Sequence, residues 1–596
     1  MADFKKLLKD VFIFKEPTPQ EEFILKEKES EKIHDGLNEK EKSSEKEKSP
    51  EKKKKGLLKN LFSNSCDDEK KDGDSGKESD KPEKMVYVSK NLNENINYLK
   101  NRFSIPTNGD VVLREFDIIV KDKKISACLI FYDGMVNGML INLNILQPLM
   151  LLSNLDIKDK DGEKNNISEY INRSLVTHNQ VKVSREFDEI VGEINFGGCG
   201  VFVDGLDVAY ACDVKGWQHR SVDRPNNEIV IRGPQESFNE ILRVNTALIR
   251  KILKDEDLVA ESIEIGERSK TPCSMLYIKD IANDSLVNEV RRRLQSIKTD
   301  YIFDTGELEQ FIEDSSFMST PQIVATERPD RVASMLAEGK VAVIMSGSPF
   351  ALVMPTTNND LLQSAEDAYV RFPYTNLLRI IRVIAIFMSL LLPGLYVAIT
   401  NFHHEMIPTD LLFAIEASRE RVPFPSVVEI IIMEFAFELI REAGLRVPSP
   451  IGPTLGIIGA LILGQAAVAA NIVSPILIIV VAVTGIGSFA IPNFSMGFSF
   501  RILRFVYVFL AAIAGFLGIT FGLFVQSIIL CDAKSFGVPF MAPFGPKTKS
   551  GFQDQFFKAP VWKQEKRPDF LNTKETQRQP KISRQWTQRR DRKKGK

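Results

Sequence analysis

Apolar positions change their pattern sharply along this chain. They are sparse before residue 86, come in short runs from about 86 to 375, and form long uninterrupted stretches after 383. In the middle region, DVVLREFDIIV (110–120) and KISACLIFYDG (124–134) predict strands flanking a turn, with a helix following at 135–152. GCGVFVDG (198–205) and LDVAYACDV (206–214) predict a hairpin. SFNEILRVNTALIRKIL (237–253) sets Phe238, Ile241, Leu242, Leu248 and Ile252 on one helix face. SMLYIKDI (274–281) predicts a strand, SLVNEVRRRLQSI (285–297) a helix, and KVAVIMSGSPFALVMP (340–355) two strands around a Gly-Ser-Pro turn. The polar stretch DIKDKDGEKNNISE (156–169) reads as a boundary, so two α/β subdomains are expected, 85–175 and 176–375.

The long apolar runs predict a helical membrane domain over 376–532. VIAIFMSLLLPGLYVAIT (383–400) has 18 residues without a charge, just enough to cross a bilayer core. TLGIIGALILGQAAVAA (454–470) and ILIIVVAVTGIGSFAI (476–491) predict a hairpin whose small residues let helices approach closely. FVYVFLAAIAGFLGITFGLFVQSIILC (505–531) has 27 uncharged residues, giving one tilted helix or a pair broken around Gly515, Gly518 and Gly522. Pro393 and Gly394 interrupt the first run, because proline removes a backbone donor and kinks or breaks a helix.

One segment does not fit a uniform anchor. VVEIIIMEFAFELI (427–440) carries Glu429, Glu434 and Glu438. A mid-membrane charge costs roughly 3 kcal/mol, so three cost about 9. Eleven apolar residues at about −0.5 kcal/mol each return only about −5. Lipid alone does not accept this helix. Glu434, Glu438 and Glu442 follow i, i+4, i+8 spacing, with Arg441 nearly on the same stripe. The stripe is either an acid–base ladder on an interfacial helix or the lining of a cation path repeated around an oligomer. These three carboxylates, with Pro393 and Gly394, are the candidate pore or gate residues.

Charge asymmetry adds orientation. The net charge of −1 averages over charge-rich ends and a nearly uncharged stretch at 451–500. Arg371, Arg379 and Arg382 place the N-terminal region inside, and the basic tail 533–596, ending RQWTQRRDRKKGK, belongs there too. An even number of crossings follows, four if the acidic helix stays at the outer interface and six if it crosses and 505–531 folds back. The head, 1–84, reads as a disordered Lys/Glu-rich linker flanked by amphipathic patches at 4–12 and 54–62. Anionic headgroups explain the basic tail more simply than nucleic acid does.

Catalytic chemistry is not legible. Six scattered cysteines (Cys66, Cys128, Cys199, Cys212, Cys273, Cys531) read as reduced thiols. His403-His404-Glu405 lacks the i, i+4 spacing of a helical metal site, and GGCG at 197–200 reads as a tight turn. No cofactor, metal or enzyme activity is expected.

LPGLYVAITNFHHEMIPTDLLFAIEASRERVPFPSVVEIIIMEFAFELIREAGLRVPSPIG (392–452) resembles the membrane core of the A subunit of GerA-type spore germinant receptors. GALILGQAAVAANIVSPILIIVVAVTGIGSFAIP (459–492) continues the resemblance, and EIVIRGPQESFNEILRVNTALIRK (228–251), GERSKTP (266–272), TERPDRVASMLAEGKVAVIMSGSPFALVMP (326–355) and SAEDAYVRF (364–372) carry it in the soluble region. The resemblance covers roughly 86–545. It implies a subunit of a nutrient receptor in the spore inner membrane, acting with a transporter-like B subunit and a lipoprotein C subunit. It also implies self-association into an ion channel. A stage V sporulation paralogue and a non-conducting membrane scaffold are the alternatives.

Overall fold

The computed structural model describes residue 25 and residues 87–120, 123–150, 181–216, 224–225, 227–446, 463–548, 557–580 and 583. The amphipathic patches at 4–12 and 54–62, the polar stretch 156–169 and the last thirteen residues lie outside these. Leu25, the described residue of the head, is buried against the second of two sheets.

Ten strands form those two five-stranded sheets. The first contains β1 (Val111–Val120), β2 (Lys123–Tyr132), β3 (Val181–Ser184), β4 (Cys199–Val203) and β5 (Ala209–Cys212), in the order β1-β2-β4-β5-β3. The second contains β6 (Leu258–Ile265), β7 (Thr271–Ile278), β8 (Val324–Thr326), β9 (Val341–Met345) and β10 (Ala351–Met354), in the order β6-β7-β9-β10-β8. All pairs are antiparallel. The two units therefore share one topology. Each opens with a helix, α1 (Leu92–Arg102) or α3 (Leu242–Ile252), and sets a second, α2 (Phe187–Asn195) or α6 (Pro329–Ala337), before its fourth strand. The other face is covered by helical residues 138–150 in the first unit and by α4 (Asp284–Ser296) and α5 (Thr305–Ile312) in the second.

The central strands show why their sequences are almost wholly apolar. In β9, Val341, Val343 and Met345 face one core layer while Ala342 and Ile344 face the other, and all five are fully buried. A strand covered on both faces loses the apolar–polar alternation of a half-exposed one.

The expected strands and hairpins form, with two corrections. The boundary placed at 175/176 does not separate the sheets, since β3, β4 and β5 belong to the first. The helix expected over 237–253 begins at Leu242, leaving Phe238 outside it, and Ile241 and Ile252 are exposed. Asn245 accepts from the Asn239 amide at 2.8 Å and donates back to its carbonyl, satisfying locally the groups a first helical turn would have used.

The two units meet at a buried ion pair. Arg250 on α3 holds Asp110 with Nε–Oδ2 at 2.6 Å and Nη2–Oδ1 at 2.8 Å, and its guanidinium lies 4.0 Å from the Tyr132 ring centre. Beside it, the Gly109 amide donates to Ala260 of edge strand β6 at 2.9 Å.

After the second unit the chain enters a helical bundle of α7 (Phe372–Phe402), α8 (Thr409–Arg419), α9 (Ser426–Arg446), helical residues 463–469, α10 (Pro475–Phe489) and α11 (Phe494–Asp532). Gly515 in α11 has φ 57° and ψ −133°, far from helical values, and the chain reverses there. Tyr507 and Gln526, nineteen residues apart, share a hydrogen bond across the reversal. A straight helix would separate them by about 28 Å. The 27-residue apolar run is thus the broken pair of the two readings. Only glycine fits the apex, because its φ is positive and a Cβ would lie 3.0 Å from the His403 ring.

Helices α7 and the first arm of α11 run away from the α/β body, whereas α9 and α10 both run back toward it. Ser499 near the start of α11 bonds Ser319 of the second unit, whereas Gly515 meets Phe402 and His403 at the far end of α7. Ser426 opens α9 beside Asn401 at that same far end. Arg441, late in α9, meets Ser488, late in α10, at the near end. The second arm of α11 returns to the α/β body, where Ser535 donates to the Gln322 carbonyl and accepts from the Thr356 amide.

Candidate functional site

The acidic helix α9 packs one face, with Glu429, Ile430, Met433 and Glu434, against the bundle, while Ile431, Phe435 and Leu439 are exposed on the other. Three arginines from two helices meet its carboxylates near the end that faces the α/β body. Arg504 Nη1 is 3.0 Å from Glu434 Oε2, and both side chains are 2% exposed. The same guanidinium reaches Glu438 Oε1 at 3.1 Å, while Arg501 lies 3.2 Å and Arg441 3.3 Å from that carboxylate. Arg501 also stacks 3.8 Å from the Phe498 ring centre. The i, i+4 spacing in α9 aims both glutamates at the first arm of α11, where Arg501 and Arg504 are themselves three apart.

This pairing changes the energetics of the helix. Three bare carboxylates in lipid are prohibitive, whereas carboxylates paired with guanidiniums that donate several bonds are tolerable. The network is not fully satisfied: Glu434 Oε1 and Arg504 Nε have no hydrogen-bond partner among the described residues. Glu429, at the far end, is fully buried and accepts from the Ser474 amide at 2.9 Å, with Arg419 Nε 3.5 Å away.

The other singled-out residues separate from this cluster. Glu442 is exposed and pairs with Arg446 at 2.7 Å. Pro393 and Gly394 are buried within a helix that continues through them. A Cβ on Gly394 would stand 3.2 Å from the Tyr507 carbonyl oxygen, so this glycine sets the close approach of α7 to α11. Gly487 on α10 does the same against the Ala385 carbonyl, with 2.9 Å to its hypothetical Cβ. The His403 and Phe516 rings lie 4.7 Å apart, tilted at 59° to each other.

A second cluster joins the α/β body to α7. Arg328, fully buried, donates to the Glu228 carbonyl at 3.0 Å and the Pro234 carbonyl at 2.7 Å, closing the loop 228–234. Gly233 in that loop packs on the Tyr369 ring, and Tyr369 donates to Asp330. Burial and the adjacent Asp330 carboxylate push the Tyr369 phenol upward. Asp367 then meets Arg382 at 2.6 Å and Arg379 at 3.4 Å, both on α7. Sequence reasoning did not bring these residues together, although all but Arg379 and Arg382 sit in EIVIRGPQE, TERPDR and SAEDAYVRF.

Two α/β units of one topology are joined to a bundle that holds the long apolar stretches Phe372–Phe402 and Phe494–Asp532, the second folded back at Gly515, and this defines a protein with an α/β body and an apolar helical domain. Residues 97–570 match the family described as Bacillus/Clostridium GerA spore germination protein, and the chain belongs to that family. It is 38% identical over 502 residues to "Spore germination protein KA" of Bacillus subtilis, covering 84% of this chain and 90% of the relative. "Spore germination protein A1" of the same organism is 38% identical, covering 75% of this chain and 92% of the relative. "Spore germination protein GerLA" of Bacillus cereus is 40% identical over 66% of this chain and 80% of its own length. Among solved structures, the N-terminal domain of the A subunit of the Bacillus megaterium spore germinant receptor GerK3 aligns at 30% identity. That alignment covers 46% of this chain and 98% of the domain, with a TM-score of 0.36.

Proposed function

We propose that this chain is the A subunit of a nutrient germinant receptor in the spore inner membrane, acting with B and C subunits and self-associating into a nutrient-gated cation channel. The family match over 97–570 carries the receptor role. Six membrane crossings, with the α/β body and the C-terminal segment both on the cytoplasmic side, support the reading best, because α9 runs antiparallel to α7 and α11 folds at Gly515. The arms of α11, 494–514 and 516–532, are about 30 and 25 Å long, close to the roughly 30 Å of a hydrocarbon core.

Within that reading, Glu434 and Glu438 line the cation path when it is open, and their pairing with Arg504 and Arg501 belongs to the closed state. A guanidinium at each carboxylate repels cations, so opening requires the pairs to part. Glu442 extends the stripe toward water, while Pro393 and Gly394 set the helix contact that moves. The test is nutrient-triggered cation release from spores carrying Glu434→Gln or Glu438→Gln at normal protein level. Altered release is expected; unchanged release with both variants removes the pore role.

A further inference from the structure

Residues 557–580 do not behave as a loose tail. They form a strap that ties the start of α7 to the second α/β unit. At one end Lys558, 6% exposed, donates through Nζ to the carbonyls of Asp367 and Ala368. Its amide donates to Asn376 Oδ1 at 2.6 Å, and Asn376 Nδ2 returns a bond to its carbonyl at 3.2 Å. At the other end Lys574 donates from its amide to Ile281 at 2.9 Å and from Nζ to Asp284 at 2.6 Å. Asn283 donates to the Asn572 carbonyl at 3.0 Å, Leu571 is fully buried, and Thr573 fills the notch left by Gly339. Between the ends, Arg567 Nε donates to the Ala337 carbonyl at 2.9 Å.

Beneath the strap lies a cavity of about 240 Å³, lined by Ser334, Asp360, Asp367 and Arg379 below and by Lys558 and Arg578 of the strap above. Asp367 Oδ1, buried in its wall, has no hydrogen-bond partner among the described residues. Apart from Leu571, which enters the core of the second unit, the strap is held chiefly by hydrogen bonds to carbonyls, and its regular structure is two short 3-10 turns and one antiparallel bridge, Lys566 to Gln577. Segments that bury little apolar surface open at a fraction of the global unfolding free energy. Those they join keep their own cores.

We propose that residues 557–580 are a latch, docked in this state, whose release uncouples the second α/β unit from α7 and opens the cavity at Asp367. Docked, it fixes the angle at which α7 leaves the body; released, α7 and the buried ion pairs of the bundle are free to shift.

The test uses the full-length chain in nanodiscs and in spores. In nanodiscs, Lys558→Met is expected to speed amide exchange roughly tenfold both in 557–580 and across 366–379. Fast exchange in the strap alone, or in neither region, overturns the coupling. In spores, an Ile281→Cys/Lys574→Cys disulfide is expected to block nutrient-triggered cation release, with recovery on reduction. Release at the unlocked rate with the bond formed overturns the latch. The spore measurement rests on the channel reading: no release even from the reduced chain sinks that reading, and exchange then decides the latch.

Discussion

Arg504 and Glu434 face each other inside the helical bundle at 3.0 Å, each 2% exposed in its side chain. A charge pair withdrawn this far from water costs more to break from one side than to remove whole, because the survivor is left buried and unpaired. Arg504→Met alone is expected to destabilise the bundle by about 3–5 kcal/mol, while Arg504→Met with Glu434→Gln recovers most of that loss. Thermal unfolding in detergent, read as a double-mutant cycle, measures it. An additive cycle would mean that the pair contributes nothing.

Gly515 gives the sharpest backbone prediction. Its φ of 57° with ψ of −133° and a Cβ position 3.0–3.1 Å from His403 and Phe402 exclude side chains. Gly515→Ala is expected to cost about 1–3 kcal/mol and to loosen the packing of the second arm against the first. Reduced thermal stability together with faster proteolysis after residue 515 would register this. An alanine variant as stable as the parent would count against the reversal.

The interface between the two α/β units rests on Arg250 and Asp110, whose side chains are 3% and 2% exposed. Arg250→Met leaves Asp110 buried without its partner and is expected to cost about 3–5 kcal/mol. Two separate unfolding transitions should replace a single one, visible by calorimetry.

Glu309 supplies a pH test in the α/β body. Burial, reinforced by the Glu313 carboxylate, raises its pKa to about 7. The folded state then holds this proton more tightly than the unfolded chain does. Its contribution to stability is full below the ordinary carboxylate range and is lost as pH rises through about 7. Glu309→Gln is expected to flatten the fall in Tm between about pH 5 and 8, by several degrees at the alkaline end. A parallel fall in parent and variant would assign the dependence elsewhere.

Local pattern was enough for most of the elements. β1, β2, the β4–β5 and β9–β10 hairpins and α4 lie where their apolar runs placed them, since strand and helix periods are properties of neighbouring residues. The repeated topology of the two units was not legible, because sheet order depends on which distant strands pair. Nor was the true start of α3, where two asparagines outcompete a helical turn.

The acidic helix shows the same division. Sequence alone determined that α9 carries too much charge for lipid, since transfer costs depend on residue type and sum along a segment. What offsets that charge was decided by the tertiary structure: Arg501 and Arg504 are more than sixty residues away and reach α9 because α11 packs beside it. Likewise the glycines at 515, 518 and 522 marked a place where a helix can break, and contacts with Phe402 and His403 decided the break at Gly515. Composition sets what a segment requires, and only the packed chain supplies the partner.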